Sequence, residues 1–330
     1  MSIITKKNVL LVITLILLYI VIQISNYLGI LSDYVLFILM IGMINAILAV
    51  SLNLITGFTG QFSIGHAAFM AIGAYVSAIF SKNIFQITPD SSLVIREFGF
   101  LFSLLAGAIV AGSFAFLIGI PTLRLKGDYL CIATLGFNQI VVAIFNNVDQ
   151  LGGPRGFTDI PQLSTFTWIF ILTILSIVVM RNFINSIYGK QCIAIREDEI
   201  AAESLRVNTT KYKAIAFIIA SFFAGLAGGL LSHLIQLAHP SSFTFLKSIE
   251  ILLWTVVGGL GSITGSMISA ISLTILPEVL RFSESFRLVL YPLLLIFFVL
   301  KNPIPILKQS YELIKKKIYS FHTTPESGRS

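Results

Sequence analysis

Carboxylates gather in one short run of the chain, Glu197-Asp198-Glu199 with Glu203, flanked by Arg196 and Arg206. Acids in a first turn suit the positive end of a helix dipole. Ile200, Ala201, Ala202, Ser204 and Leu205 make the same run a short amphipathic helix of small residues, a shape that can enter a groove on a partner protein. A solvated connector would look similar, although dense acid fits poorly against an anionic lipid surface. A second concentration of chemistry runs from Gly57 to Tyr75, with glycines at 57, 60, 65 and 73. Such glycines permit a broken helix that brings main-chain dipoles near a solute, and they equally permit close helix packing. Ser63 and His66 are spaced to meet as nucleophile and base, but the G-x-S-G turn of intramembrane serine proteases is missing. His66 and His233 lack the thiolate or carboxylate companions of a metal site. The two cysteines, Cys131 in an apolar run and Cys192 in a polar loop, make neither a disulfide framework nor a metal cluster. Leu151-Gly152-Gly153-Pro154-Arg155-Gly156-Phe157 reads as a turn-rich connection that could also touch an external partner.

The elements that must carry these residues are membrane helices. Of 330 residues, 56% are apolar and 11% charged, with a mean hydropathy of +0.93, whereas soluble domains carry about 25% charged side chains. The net charge of +7 therefore lies outside the hydrocarbon and reports orientation; no nucleic-acid partner is implied. Lys6 and Lys7 precede Val9–Ile24, too uniformly branched for a cleaved leader. Stretches near the about 20 residues of a spanning helix then recur at Val35–Ile55, His66–Phe80, Phe100–Leu123, Tyr129–Val148, Leu163–Met180, Ala214–Ala238, Ser248–Leu276 and Ser285–Leu300. A single helix from Ser248 to Leu280 would run roughly 50 Å, beyond the about 45 Å of bilayer and headgroups. A break is expected where Gly258, Gly259, Gly261 and Gly265 cluster. Counting that region as two gives a polytopic all-α bundle of about ten segments with both termini inside. Sixteen Lys and Arg then fall inside and six outside, in keeping with the positive-inside tendency. A re-entrant pair would give the same parity.

Membrane depth is nearly free of charge. His66, His233 and, near the start of the broken stretch, Glu250 are the ionisable groups there, so the chain offers no evident proton relay. What the spans carry is uncharged polarity: Asn45, Ser51, Asn53, Gln61, Ser63, Asn138, Gln139, Asn146 and Asn147. A route lined this way suits a small zwitterion or a neutral polar solute. Asn53, Gly60, Gln61, Ser63, His66, Asn138, Gly258, Gly259 and Gly261 are its candidate lining, with interior packing as the alternative for each. The chain has no G-x-x-x-x-G-K-[ST] loop, so nucleotide hydrolysis would fall to another subunit.

Four motifs in fixed order make a family recognisable. They are Asn53 to Tyr75; Gly127-Asp128-Tyr129-Leu130-Cys131-Ile132-Ala133-Thr134-Leu135-Gly136-Phe137 with Gly152-Gly153-Pro154; Ala194 to Leu205; and Ile249-Glu250-Ile251-Leu252-Leu253 through Gly258-Gly259-Leu260-Gly261-Ser262. Over Leu36–Leu307 the chain resembles the branched-chain amino acid permeases of ATP-binding-cassette importers, specifically the M-type half of the H/M pair. The resemblance implies a permease domain over residues 1–307, a coupling loop at 189–211 and a tail at 308–330 with no assigned role. It implies a second, H-type permease subunit, two cytoplasmic ATPases that bind ATP and magnesium, an extracytoplasmic solute-binding protein, and a bacterial plasma or inner membrane. This chain would bind no cofactor or metal and would not itself be an enzyme. Arg196, Glu197, Asp198, Glu199, Ala201, Ala202 and Glu203 would form the ATPase-coupling segment. The family usually has glycine where this chain has Arg206, which alters how that segment ends. Urea-type and amide-type importers share the architecture; branched-chain or similar aliphatic amino acids are the expected cargo. An ion-coupled carrier using backbone carbonyls, and an intramembrane hydrolase, are the readings from other classes.

Overall fold

The computed structural model describes residues 14, 17, 19–26, 28–29, 31–88, 92–122 and 128–280. The chain divides into two compact units, residues 1–279 and 280–330; of the second, only Leu280 is described. The helices are α1 (Asp33–Thr56), α2 (His66–Ile79), α3 (Leu93–Thr122), α4 (Asp128–Asn147), α5 (Phe166–Asn185), α6 (Ile187–Glu197), α7 (Glu199–Ser204), α8 (Thr209–Ile235), α9 (Phe245–Gly258) and α10 (Ile263–Val279). A five-residue π turn, Phe80–Ile84, extends α2. Among the described residues there is no strand, only an isolated antiparallel bridge between Phe157 and Ala238.

Six of these helices are long and apolar enough to cross a membrane: Asp33–Thr56, His66–Ile84, Leu93–Gly119, Tyr129–Asn147, Phe166–Asn185 and Thr209–Ile235. They match the second to the seventh of the expected stretches. Where the chain enters helix, side chains take up the orphaned N–H groups: Ser32 Oγ accepts from Val35 N, and Asn208 Oδ1 from Lys211 N at 3.0 Å. The long Ser248–Leu276 stretch breaks as the length argument requires. α9 has 14 residues and α10 has 17, roughly 21 and 25 Å at 1.5 Å per residue, each shorter than a bilayer core of about 30 Å. Gly259 (φ 95°) and Gly261 (φ 82°) turn the chain between them. Only part of the Val9–Ile24 stretch is described: residues 19–26 are helical, and Tyr19 stacks on Phe166 while its hydroxyl lies 2.9 Å from Thr167 Oγ1 of α5. The Ser285–Leu300 stretch and the 308–330 tail lie outside the described residues, as does Gly127 of the second motif.

The bundle is organised on α8 and α1. α8 packs on α3, α2 and α1; α1 in turn carries α10, α5 and α9. Helices immersed in an apolar medium gain little from burying apolar surface, so close approach and van der Waals contact must hold them. Glycine supplies that approach: a Cβ on Gly73 of α2 would stand 2.1 Å from Gly225 O of α8, and one on Gly228 would stand 1.9 Å from Met70 O. Gly107 of α3 closes on the same place, 2.6 Å from Gly73 O by the same measure. Polar side chains buried in these helices turn inward. His233 Nδ1 meets Gly229 O at 2.8 Å and Nε2 meets Ser81 Oγ at 2.9 Å.

Gly73→Ala is expected to separate α2 from α8 and to lower both the melting temperature and the membrane abundance of the protein. Gly136→Ala, in a helix where an added Cβ meets nothing within 4 Å, is the matched control and should gain up to about 1 kcal/mol from helix propensity. Equal melting of the two variants in detergent would show that the Gly73–Gly225 contact does not hold the bundle.

Candidate functional site

Two interrupted helices meet at one end of the bundle. After α1, residues 57–65 run without helix, threaded by local hydrogen bonds: Thr59 Oγ1 donates to Leu54 O at 2.7 Å and Gln61 N to Ile55 O at 3.1 Å. The N-terminus of α2 is then satisfied from elsewhere. Ile64 N donates to Thr134 Oγ1 of α4 at 3.2 Å, and Ala67 N to Ser248 Oγ of α9 at 2.9 Å. His66 is fully buried, with Nε2 2.8 Å from Ser51 Oγ, a hydroxyl that also lies 2.9 Å from Leu48 O. Ser63 Oγ lies 3.4 Å from Gly65 N. His66 thus engages Ser51 rather than Ser63, and no nucleophile–base pair forms there.

The second interruption, Gly259–Ser262, is pinned to the last turn of α1 by one side chain. Asn53 Oδ1 accepts from Gly261 N at 2.9 Å, and its Nδ2 donates to Ser262 O at 2.9 Å and Ser266 Oγ at 2.7 Å. Asn53 is fully buried, and three of its four hydrogen-bonding positions are spent, two on the turn and one on Ser266 of α10. Gly258 and Gly265 bring α9 and α10 together, a Cβ on Gly265 standing 1.9 Å from Gly258 O.

Against this junction lies the loop between α5 and α8. Ser186 caps α6, and Cys192 is buried between the 57–62 segment and Tyr212, where desolvation pushes its thiol up to about 11 against the lowering effect of a Thr59 hydrogen bond. Arg196, at the end of α6, donates from Nη1 to Gly57 O at 2.9 Å and grips Glu197 through Nε at 3.0 Å and through Nη2. Asp198 caps α7, accepting from Ile200 N at 2.9 Å and Ala201 N at 3.0 Å. Glu199 pairs with Lys213 of α8 at 2.6 Å, with only 9% of the lysine side chain exposed. Glu203 accepts from Thr209 Oγ1 at 3.0 Å. Each acid of the cluster therefore has a partner within the chain. Alongside the exposed Asp198, Glu203 and Ser204, α7 and its end present apolar side chains: Ile200 is 74% and Leu205 81% exposed, with Ala201 beside them, while Ala202 is buried. Arg206 ends the segment at φ 62°, the left-handed conformation that glycine adopts freely.

The structure gathers Asn53, Gly60, Gly261 and Arg196 into one cluster and puts Gly60 and Gln61 on the wall of a cavity of about 370 Å³ shared with Arg196, Glu197, Asp198, Glu199 and Lys213. Gly258 and Gly259 belong to the adjoining turn. Ser63, in the segment before α2, His66 of α2 and Asn138 of α4 lie apart from that cavity. Gln61 and the fully buried Asn138 hold amides whose oxygen and nitrogen find no hydrogen-bond partner among the described residues. Glu250 pairs with Lys247 at 2.9 Å, and that ammonium sits 4.8 Å over the Trp254 ring. Lys213 and Thr209 escaped the sequence reading because they meet Glu199 and Glu203 across a turn between helices, where no i,i+4 spacing signals contact.

A family model for the permease component of branched-chain amino acid transport systems matches residues 34–299. The LivM permease proteins of Salmonella typhimurium and Escherichia coli are each 30% identical over 310 residues, 83% of this chain and 70% of theirs. LivH of Salmonella typhimurium is 26% identical over 250 residues, 71% of this chain and 80% of its own. No solved structure gives a significant match. The interrupted helices, the six apolar spans and the family match over most of the chain agree, and the chain belongs to the family of branched-chain amino acid transport permease components.

Proposed function

We propose that the chain is the M-type permease subunit of an ATP-driven importer of branched-chain or similar aliphatic amino acids, paired with an H-type permease and served by two ATPase subunits and an extracytoplasmic binding protein. The observation that carries this reading is α7: a short helix capped by Asp198, braced on α8 through Glu199–Lys213 and Glu203–Thr209, and exposing Ile200, Ala201 and Leu205. The internal ion pair and hydrogen bond hold the helix at a set angle, and the apolar side chains are what a groove on an ATPase would receive. ATP and magnesium belong to those partner subunits. A total of about ten segments, counting α9 and α10 as two, would place both termini and α7 on the cytoplasmic face of a bacterial plasma or inner membrane. The paired LivM and LivH relatives support a two-permease assembly. Purified complex in vesicles tests the whole: uptake of leucine, isoleucine or valine should follow ATP and the binding protein, and uptake that tracks an ion gradient without ATP would discard the reading. Uptake of urea or an amide in place of these amino acids would change the cargo and keep the mechanism.

Ile200→Asp with Leu205→Asp is expected to leave insertion intact and weaken ATPase retention at least about tenfold, the scale of an interface hot spot. Wild-type co-purification of the ATPase with that double variant would remove α7 as the docking helix. Cysteines placed at Ser2 and Ser330 should react only with reagents admitted to the cytoplasmic side; labelling of either from outside overturns the topology. Asn138 supplies a test of the route. A buried amide without partners costs about 1–3 kcal/mol, and a hydrated or solute-lined path is what would retain one. Asn138→Leu should therefore raise the melting temperature while lowering uptake, and a variant both more stable and fully active would take Asn138 off the route.

A further inference from the structure

We infer that Arg196 is a positioning residue of the transport cycle, the link through which movement of α7 reaches both helix interruptions at once. This deepens the coupling role proposed for α7 and depends on it. The guanidinium caps α1: Nη1 donates to Gly57 O at 2.9 Å, a carbonyl at a helix C-terminus, where a cation also meets the negative end of the dipole. The same side chain lies directly on the main chain of both breaks. A Cβ on Gly60 would stand 3.1 Å from Arg196 Cγ and 3.4 Å from its Cα, and a Cβ on Gly261 would stand 2.9 Å from Nη1. Gly60 has φ 73° and Gly261 φ 82°, so at each break the backbone is bare and turned in a conformation that side chains resist. Asn53 fastens the second break to the first through Gly261 N and Ser262 O.

The other edge of the guanidinium is held by Glu197, and the next residue, Asp198, is the cap of α7. Only one residue therefore separates the group lying on both breaks from the group that starts the docking helix. Arginine suits this place because its planar fork serves Gly57 O and Glu197 simultaneously, in fixed directions. A lysine would reach one of them. When α7 is displaced by its partner, the 57–62 and 259–262 segments must follow or the Gly57 carbonyl must lose its donor.

The experiment uses the complete complex in vesicles, with Arg196→Gln and Arg196→Lys, and measures ATPase co-purification, ATP hydrolysis and solute imported per ATP. Arg196→Gln should retain the ATPase and hydrolyse ATP within about twofold of wild type, while solute imported per ATP falls at least about tenfold, the range of a typical coupling; Arg196→Lys should recover part of the loss. Spin labels at Phe62 and Leu260, both exposed, should change separation with ATP and vanadate in the wild type and stay fixed in Arg196→Gln. A wild-type import ratio in Arg196→Gln overturns the inference. So does loss of ATPase co-purification in that variant, which would make Arg196 part of the docking surface or scaffold, and so does a label pair that never moves. Import by the wild type without ATP is a different failure, that of the coupling role itself.

Discussion

An interrupted helix in an apolar environment leaves backbone N–H and C=O groups that water cannot reach, and each one left bare costs several kcal/mol. The arrangement at the end of the bundle follows from meeting that demand. At residues 57–65 and 259–262 the helical ladder stops, and the side chains around them are donors and acceptors aimed at main chain. Asn53 takes Gly261 N and Ser262 O, Arg196 takes Gly57 O, Thr134 takes Ile64 N and Ser248 takes Ala67 N. α1, α4, α6 and α9 are tied to the two breaks by this one requirement, and the loop that carries α7 is held with them.

The acids of the Glu197–Glu203 run illustrate how a charged cluster can be architectural. Dense carboxylate suggests a surface that meets a partner electrostatically. In the fold, Asp198 is consumed as a cap, Glu199 by Lys213, Glu203 by Thr209 and Glu197 by Arg196. Holding a six-residue helix at a set orientation demands such bracing, since a helix this short has little stability of its own in water. Ile200 and Leu205 are exposed among these braced acids.

Local pattern made much of this legible. Apolar length identified α1 to α5 and α8, with ends displaced by a few residues; the Ala214–Ala238 stretch becomes Thr209–Ile235 because Asn208 caps the helix ahead of its apolar part. The break near Gly258 followed from length against bilayer thickness, and Gly259 and Gly261 carry the positive φ that glycine allows. The pairings that make the site are of another kind. Asn53 and Gly261 are 208 residues apart, and Arg196 and Gly57 are 139 apart. No periodicity encodes such contacts; they arise only when α1, α6 and α10 come together. The amides of Gln61 and Asn138 were visible as polarity in apolar spans, but their lack of partners among the described residues is a property of the packing around them.

The glycine seam among α2, α3 and α8 has a mechanical corollary. Where Gly73 meets Gly225 and Gly228 meets Met70, main chain rests on main chain, and no side-chain rotamer can adjust to take up a slide or a roll. Two such surfaces are bistable or fixed, not continuously deformable. The three helices must therefore travel as a single block during any opening and closing of the path, and the degrees of freedom are left to the thinner elements hung on α1, the α9–α10 hairpin above all.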